Sequence, residues 1–378
     1  MKKKVKKEVW DDKASNKEQQ QLTHGIFRYF GKLPPTLTRK ILSTLKVGQR
    51  DNNQYVELMC GSGTGILEAI SVGAQATGID CNPLAILSTK VKTTPLEITT
   101  LNRAIKLFST ANISNKIIQK NPPPLIRNIN KWFTTKAQEE LCAIRDWIET
   151  IKEENIQNIF RLTLASSIRP SSNASIRTGR IFHDHDKVAK SPLIEFETRL
   201  KKICAAISSL KDQKSFSNPS LHLADARETG LPKDKFHFGL CHPPYFALYR
   251  YSSDVTRFEL EWLGMGRKEA AEMEIEDGFK TTDASLVEKH VLDMIQVIKE
   301  ARRIIKKDGS FVIVTADSTL RKERLEIIQP LIIGAKDNGW KLTRHVIRKV
   351  HFAQSSYHRS ADSEIQRPED EILYFNAI

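Results

Sequence analysis

A glycine-rich run, Gly61-Ser62-Gly63-Thr64-Gly65, follows the short apolar stretch Tyr55-Val56-Glu57-Leu58-Met59 and leads into Ile66-Leu67-Glu68-Ala69-Ile70. A strand that turns through glycines into a helix brings backbone close to a ligand lying across the strand ends, with the helix start offering N–H groups. Asp80 closes the next apolar stretch, Gln75-Ala76-Thr77-Gly78-Ile79. A carboxylate there can accept from two ribose hydroxyls. These residues point to a nucleoside cofactor and go no further, because a dinucleotide would satisfy them equally.

The second chemical element is His242-Pro243-Pro244-Tyr245, directly after the apolar Phe236-His237-Phe238-Gly239-Leu240-Cys241. Two prolines after a buried strand freeze a turn and leave carbonyls unable to join a ladder. A carbonyl accepts hydrogens from an exocyclic amine and makes its nitrogen a better nucleophile. Tyr245 offers an aromatic face on which an extruded base can stack. His242 can accept from an amine only as neutral imidazole; an imidazolium would repel it.

The elements that must position these groups alternate. Residues 55–59, 75–80, 221–225, 236–240 and 311–315 read as buried strands. Leu37, Ile41, Leu42 and Leu45 recur at helical spacing, and an amphipathic helix spans roughly 285–305. Residues 341–352 and 371–376 are predicted to close the sheet as an antiparallel pair. The fold class expected is α/β, a Rossmann-like seven-stranded sheet with an inserted, mainly helical region. Residues 1–20 read as a flexible basic lead, 21–96 with 219–378 as the catalytic domain, and 97–218 as the insertion.

Several blocks together resemble the S-adenosylmethionine-dependent DNA N4-cytosine/N6-adenine amino-methyltransferases of the Pro-Pro-Tyr type. They are Phe30-Gly31-Lys32 with its following prolines, Glu57-Leu58-Met59-Cys60-Gly61-Ser62-Gly63-Thr64, Gly78-Ile79-Asp80-Cys81-Asn82-Pro83-Leu84-Ala85 and His242-Pro243-Pro244-Tyr245. Leu248-Tyr249-Arg250-Tyr251 and Glu259-Leu260-Glu261-Trp262-Leu263-Gly264 add to the likeness. The resemblance covers 22–96 and 221–376. It implies that the turn Gly61-Ser62-Gly63-Thr64-Gly65 holds the methionine part of S-adenosyl-L-methionine, with Glu57 and Cys60 also among the cofactor-binding residues. Asp80 would take its ribose, Asp225 would lie near its adenine, and Phe30 and Lys32 would flank it. The Pro243 carbonyl and the residue-242 side chain would receive the target amine, with Tyr245 stacked on the base. Glu57 replaces the usual Asp, and His242 stands where Asp or Ser is common. The resemblance further implies methylation of a flipped base in double-stranded DNA, at cytosine N4 in preference to adenine N6. It implies the modification half of a restriction–modification system, with a cognate restriction endonuclease as companion. An RNA (tRNA) amine methyltransferase and a catalytically silent DNA-binding protein are the alternatives. A nicotinamide dehydrogenase would account for the glycines but not for Pro243-Pro244-Tyr245.

Charge points to the same partner. The 378 residues carry 59 Lys and Arg against 45 Asp and Glu, a net of +14. Residues 97–218 hold 20 of the bases and 12 of the acids, a net of +8, and no acid occurs between Glu154 and Asp184. A basic surplus of this kind suits a polyanion. The insertion is therefore the expected reader of DNA, with Arg169, Arg177 and Arg180 on phosphates or guanine edges. The five cysteines show no CxxC spacing, and His183-Asp184-His185-Asp186 reads as a surface loop, so no metal is expected. No apolar run is long enough to span a membrane, and the expected compartment is the cytoplasm.

Overall fold

The computed structural model describes residues 5–11, 15–49, 53–111, 113, 121–210, 216–246, 248–275, 286–320, 323–350 and 369–378. Their frame is an eight-stranded mixed sheet. In chain order its strands are β1 (Lys7–Trp10), β2 (Gln54–Leu58), β3 (Gln75–Asp80), β4 (Ser220–Leu223), β5 (Phe236–Cys241), β6 (Ile305–Thr315), β9 (Trp340–Lys349) and β10 (Glu369–Ala377). Strands β7 (Ser318–Leu320) and β8 (Glu323–Leu325) form a separate small ribbon.

Across the sheet the order is β4-β3-β2-β5-β6-β10-β9-β1. The five strands from β4 to β6 run parallel, and β10 lies antiparallel between β6 and β9. The order reverses at β2, which has β3 on one side and β5 on the other. A crevice opens at the carboxyl ends of strands at such a reversal. Register aligns those ends: Leu58 pairs with both Ile79 and Cys241, and Asp80 pairs with Leu223. Tyr55, Val56 and Leu58 are fully buried, and Val56 and Leu58 each contribute roughly 1.5–3 kcal/mol by leaving water. This is the continuous apolar run of a parallel strand covered on both faces.

The eighth strand departs from the sequence reading, which gives seven strands and a flexible lead over residues 1–20. Lys7–Trp10 pairs in parallel with β9, and Asn16–Gln19 is a short helix, α1, closed by a capping box between Ser15 and Glu18. Tertiary pairing decides this edge strand: Trp10 is its one buried residue, and Arg344 of β9 donates to both carboxylate oxygens of Glu8.

Helices cover both faces. α2 (Pro35–Leu45), α3 (Thr64–Ser71) and α4 (Pro83–Thr93) surround the first two parallel strands. The described residues between α4 and β4 are mainly helical, as expected: α5 (Ile98–Thr110), α6 (Ile129–Trp132), α7 (Thr135–Ile148), α8 (Glu154–Ile168) and α9 (Pro192–Ser208). Beyond β5 come α10 (Arg257–Leu263), α11 (Arg267–Met273), α12 (Val287–Ile304) and α13 (Ile328–Asp337). The helical region shares one apolar core with α4 and α10, in which Leu84, Leu87 and Val91 meet Phe133, Phe160, Phe196, Phe258 and Trp262. The expected closing pair is present as β9 and β10, and residues 351–352 of that reading lie outside the described residues.

Candidate active site

β2 hands over to α3 through a turn that favours glycine. Met59, Gly61 and Gly63 all have positive φ, at 64°, 52° and 76°. A Cβ on Gly63 would sit 2.5 Å from the Thr89 methyl, so glycine is required by space as well as by conformation. The Cys60 N–H donates to the Ile79 carbonyl at 2.8 Å, tying the turn to β3. Asp80 completes it: Oδ2 accepts the Gly61 N–H at 2.7 Å and Oδ1 accepts the Asn82 N–H at 2.9 Å. The Asn82 side chain caps α4 through the Leu84 N–H at 3.0 Å and donates to the Thr256 hydroxyl at 3.0 Å. The glycine turn and the chain beyond β5 are therefore mechanically linked.

Around this turn lies a cleft, partly open to solvent. Lys32, Glu57, Cys60, Gly61, Ser62, Asp80 and Asp225 line it, and so do His242 and Pro244. Gly63 lies behind, as the N-cap of α3, and Pro243 is buried. Phe30 does not wall the cleft. Its ring packs under the guanidinium of Arg28 at 4.7 Å and near that of Arg169 at 5.9 Å. The neighbouring Tyr29 takes the wall position, stacked on Tyr251 with ring centroids 5.4 Å apart. The Tyr251 hydroxyl donates to the Phe30 carbonyl at 3.1 Å, and a Cβ on Gly31 would strike that hydroxyl at 2.5 Å. Gly31 thus allows the N-terminal loop to close over the site.

Electrostatics in the cleft follow from burial. Burial raises Asp80 to about 6, against the pull of the two N–H groups that it accepts. It raises Glu57 to about 8, against the attraction of Lys92. Among the described residues, Glu57 Oε2 is buried with no hydrogen-bond partner. Lys92 is itself fully buried, donates to the Ser62 hydroxyl at 3.2 Å, and is pushed well below the usual lysine range. Lys32 donates to the His24 carbonyl at 2.7 Å, and burial lowers it to about 8. Asp225 is clamped by Arg227, whose Nη2 donates at 2.7 Å and which also binds Asp293.

The Pro-Pro turn leaves β5 at the cleft edge. Burial lowers His242 to about 4, so its imidazole is neutral near pH 7 and can accept from an amine. Tyr245 stands edge-on to His242, with centroids 5.5 Å apart, and its hydroxyl donates to Asp370 Oδ1 at 2.7 Å. Sequence reasoning missed Tyr29 and the segment Met273-Glu274-Ile275, which also lines the cleft. Glu274 accepts the Tyr251 N–H and, at 2.8 Å, the Ser252 N–H, holding the stacked tyrosine in place. Its distance along the chain leaves no signal in spacing.

The three arginines assigned to DNA separate. Arg169 is 7% exposed and donates to the carbonyls of Ser175, Thr178, Gly179 and Val255. Glu259 lies 3.7 Å away. The expectation of a phosphate contact for Arg169 is therefore corrected, because its donors are spent inside the fold. Arg180 is half-buried and donates to the Leu248 carbonyl at 2.9 Å. Arg177 is exposed. It sits on a hairpin whose arms are joined by the Ser175 N–H to the Phe182 carbonyl and the Asp184 N–H to the Asn173 carbonyl. The hairpin rests on the chain beyond the catalytic turn, through the Ile181 N–H to the Asp254 carbonyl.

No protein-family model matches the chain. Among curated proteins it is similar to the Type II methyltransferase M.MvaI of Kocuria varians, with 26% identity over 164 residues, 42% of this chain and 36% of that protein. It is similar also to the Type II methyltransferase M.MjaII of Methanocaldococcus jannaschii, with 28% identity over 40% of this chain and 30% of that protein. The likeness to these two Type II methyltransferases extends over about two fifths of the chain. The match spans about a third of the length of those Type II relatives. Among solved structures, a putative DNA modification methylase from Thermus thermophilus, complexed with S-adenosyl-L-methionine, matches at 16% identity and a TM-score of 0.28. That match covers 41% of this chain and 53% of the other. A SAM-dependent methyltransferase from Methanosarcina mazei matches at 9% identity and a TM-score of 0.35, over 89% and 97% of the two chains.

Proposed function

We propose that this protein transfers a methyl group from S-adenosyl-L-methionine to the exocyclic amine of a base in double-stranded DNA. The target is cytosine N4 in preference to adenine N6, and the protein is the cytoplasmic modification partner of a restriction endonuclease. The observation that carries this reading is one shared cleft. A glycine turn closed by Asp80 and a Pro-Pro turn bearing a neutral His242 face the same space at the reversal of a parallel sheet.

The residues present fit the cofactor. Glu57 lines the cleft with a buried carboxyl whose Oε2 is unpartnered among the described residues. Burial favours its protonated form at neutral pH, and a cationic ligand beside it would draw it to the ionised form. Asp80 retains a second lone pair on each oxygen for hydroxyl donors. Bound there, S-adenosyl-L-methionine supplies a methyl group already activated on a sulfonium. The chain's own residues do the rest. Tyr29 and Tyr251 exclude water from one wall, and His242 accepts a hydrogen of the amine, leaving the nitrogen lone pair to react. His242 stands in a cleft that a stacked base cannot enter, so the base must leave the duplex. The helical region 97–218 is assigned to target recognition. The exposure of its hairpin residues Ile176, Arg177 and Phe182, at the edge of the catalytic segment, supports that assignment. Interleaved apolar and cationic side chains suit DNA held open at one base.

Purified protein is incubated with methyl-labelled S-adenosyl-L-methionine and unmethylated DNA or tRNA, and the products are digested to nucleosides. Label in N4-methylcytosine is expected. Label in N6-methyladenine corrects the base, label in tRNA alone replaces the substrate, and label in neither sinks the enzyme reading.

A further inference from the structure

The strand pair β9–β10 sets Arg348 directly across from Asp370. Arg348 Nη1 donates to Asp370 Oδ2, and the two side chains are only 13% and 11% exposed. Taking an ion pair out of water is costly unless its remaining lone pairs are used. The other carboxylate oxygen, Oδ1, accepts the Tyr245 hydroxyl at 2.7 Å. The same phenol oxygen lies 3.4 Å from His242 Nε2. A phenol has one hydrogen, and here it is committed to Asp370. Toward the imidazole Tyr245 therefore presents a lone pair, so Nε2 must carry the ring hydrogen. The opposite tautomer would set two lone pairs against each other. Neutral imidazole with Nε2 protonated has Nδ1 bare.

We infer that Arg348, Asp370 and Tyr245 form a positioning chain that fixes the tautomer of His242, reserving Nδ1 as the acceptor for the target amine. This rests on the methyltransferase reading for the identity of the amine, but the chain itself is a property of the free protein. It also explains how histidine can stand at a position where Asp or Ser is common. A carboxylate accepts from either oxygen without preparation, whereas an imidazole accepts from one nitrogen and needs the other occupied. Asp370 and Arg348 touch no reacting atom; they act through Tyr245.

The test reads the tautomer directly. The full chain is labelled with 15N-histidine, and the two ring nitrogens of His242 are identified by the signals lost in His242→Gln. In the wild type at neutral pH, Nε2 is expected to be protonated and Nδ1 bare. Tyr245→Phe and Asp370→Asn should each shift His242 toward a mixture of tautomers, with the other histidines unchanged and thermal unfolding showing a folded protein. In the methylation assay Asp370→Asn should lower kcat about 10-fold with KM for DNA and cofactor nearly constant. A protonated Nδ1 in the wild type, or a tautomer that neither substitution moves, overturns the inference. If no nucleic acid is methylated, the enzyme reading fails by itself, and the tautomer still decides the positioning chain.

Discussion

Asp80 serves both the turn and the cleft. Its two oxygens hold the Gly61 and Asn82 N–H groups, yet burial keeps its carboxyl as high as about 6. Only the ionised form accepts from ribose hydroxyls on both oxygens. Cofactor affinity is therefore expected to tighten as pH rises from 5 to 7, and a calorimetric Kd that is flat over this range would refute the assignment. Asp80→Asn keeps the size but loses the charge-assisted bonds, and cofactor Kd should weaken about 10-fold or more. The glycines, Asp80 and His242 were legible in the sequence because their chemistry is local: strand, turn, side chain. Tyr29 and Glu274 were not, because each acts through Tyr251, and that contact exists only after the chain has closed.

The hairpin spanning residues 173–184 shows the same limit for an element. Arg169 and Arg177 read alike in an acid-free stretch, since sequence reports charge and not burial. Inside the fold Arg169 is a rivet: four carbonyls and Glu259 compensate a guanidinium that has left water. Removing it would strand those acceptors and the buried carboxylate. Arg169→Met should thus destabilise the protein by about 3–5 kcal/mol in denaturant unfolding, whereas Arg177→Ala should leave unfolding unchanged and weaken DNA binding. Unchanged stability in Arg169→Met would show that the guanidinium is dispensable to the fold. The parallel strands and the β9–β10 pair were readable from apolar runs, which need no knowledge of the partner. β1 was not, because three of its four residues are exposed and its pairing reaches across more than 300 residues to β9.

For the whole molecule, the issue is whether the +14 surplus acts as a surface field or is spent in local pairs. Much of the basic charge in 97–218 is spent: Arg161 binds Glu149, Arg199 and Lys190 bind Glu195, Arg103 binds Glu153, and Lys201 binds Glu197. What remains for a polyanion is at most the unbalanced part, a net of +8 over that region with the buried Arg169 still counted. Each phosphate neutralised contributes about −0.9 to the slope of log K against log salt, so the slope of DNA binding should be no steeper than about −7. Arg177→Ala should flatten it by about 1 while lowering affinity on all sequences alike. A salt-independent affinity would mean that the basic region faces something other than the duplex. A normal slope that Arg177→Ala leaves untouched would move the DNA to another face of the helical region. The cleft chemistry would stand in either case, because it is built from the sheet ends and owes nothing to the field.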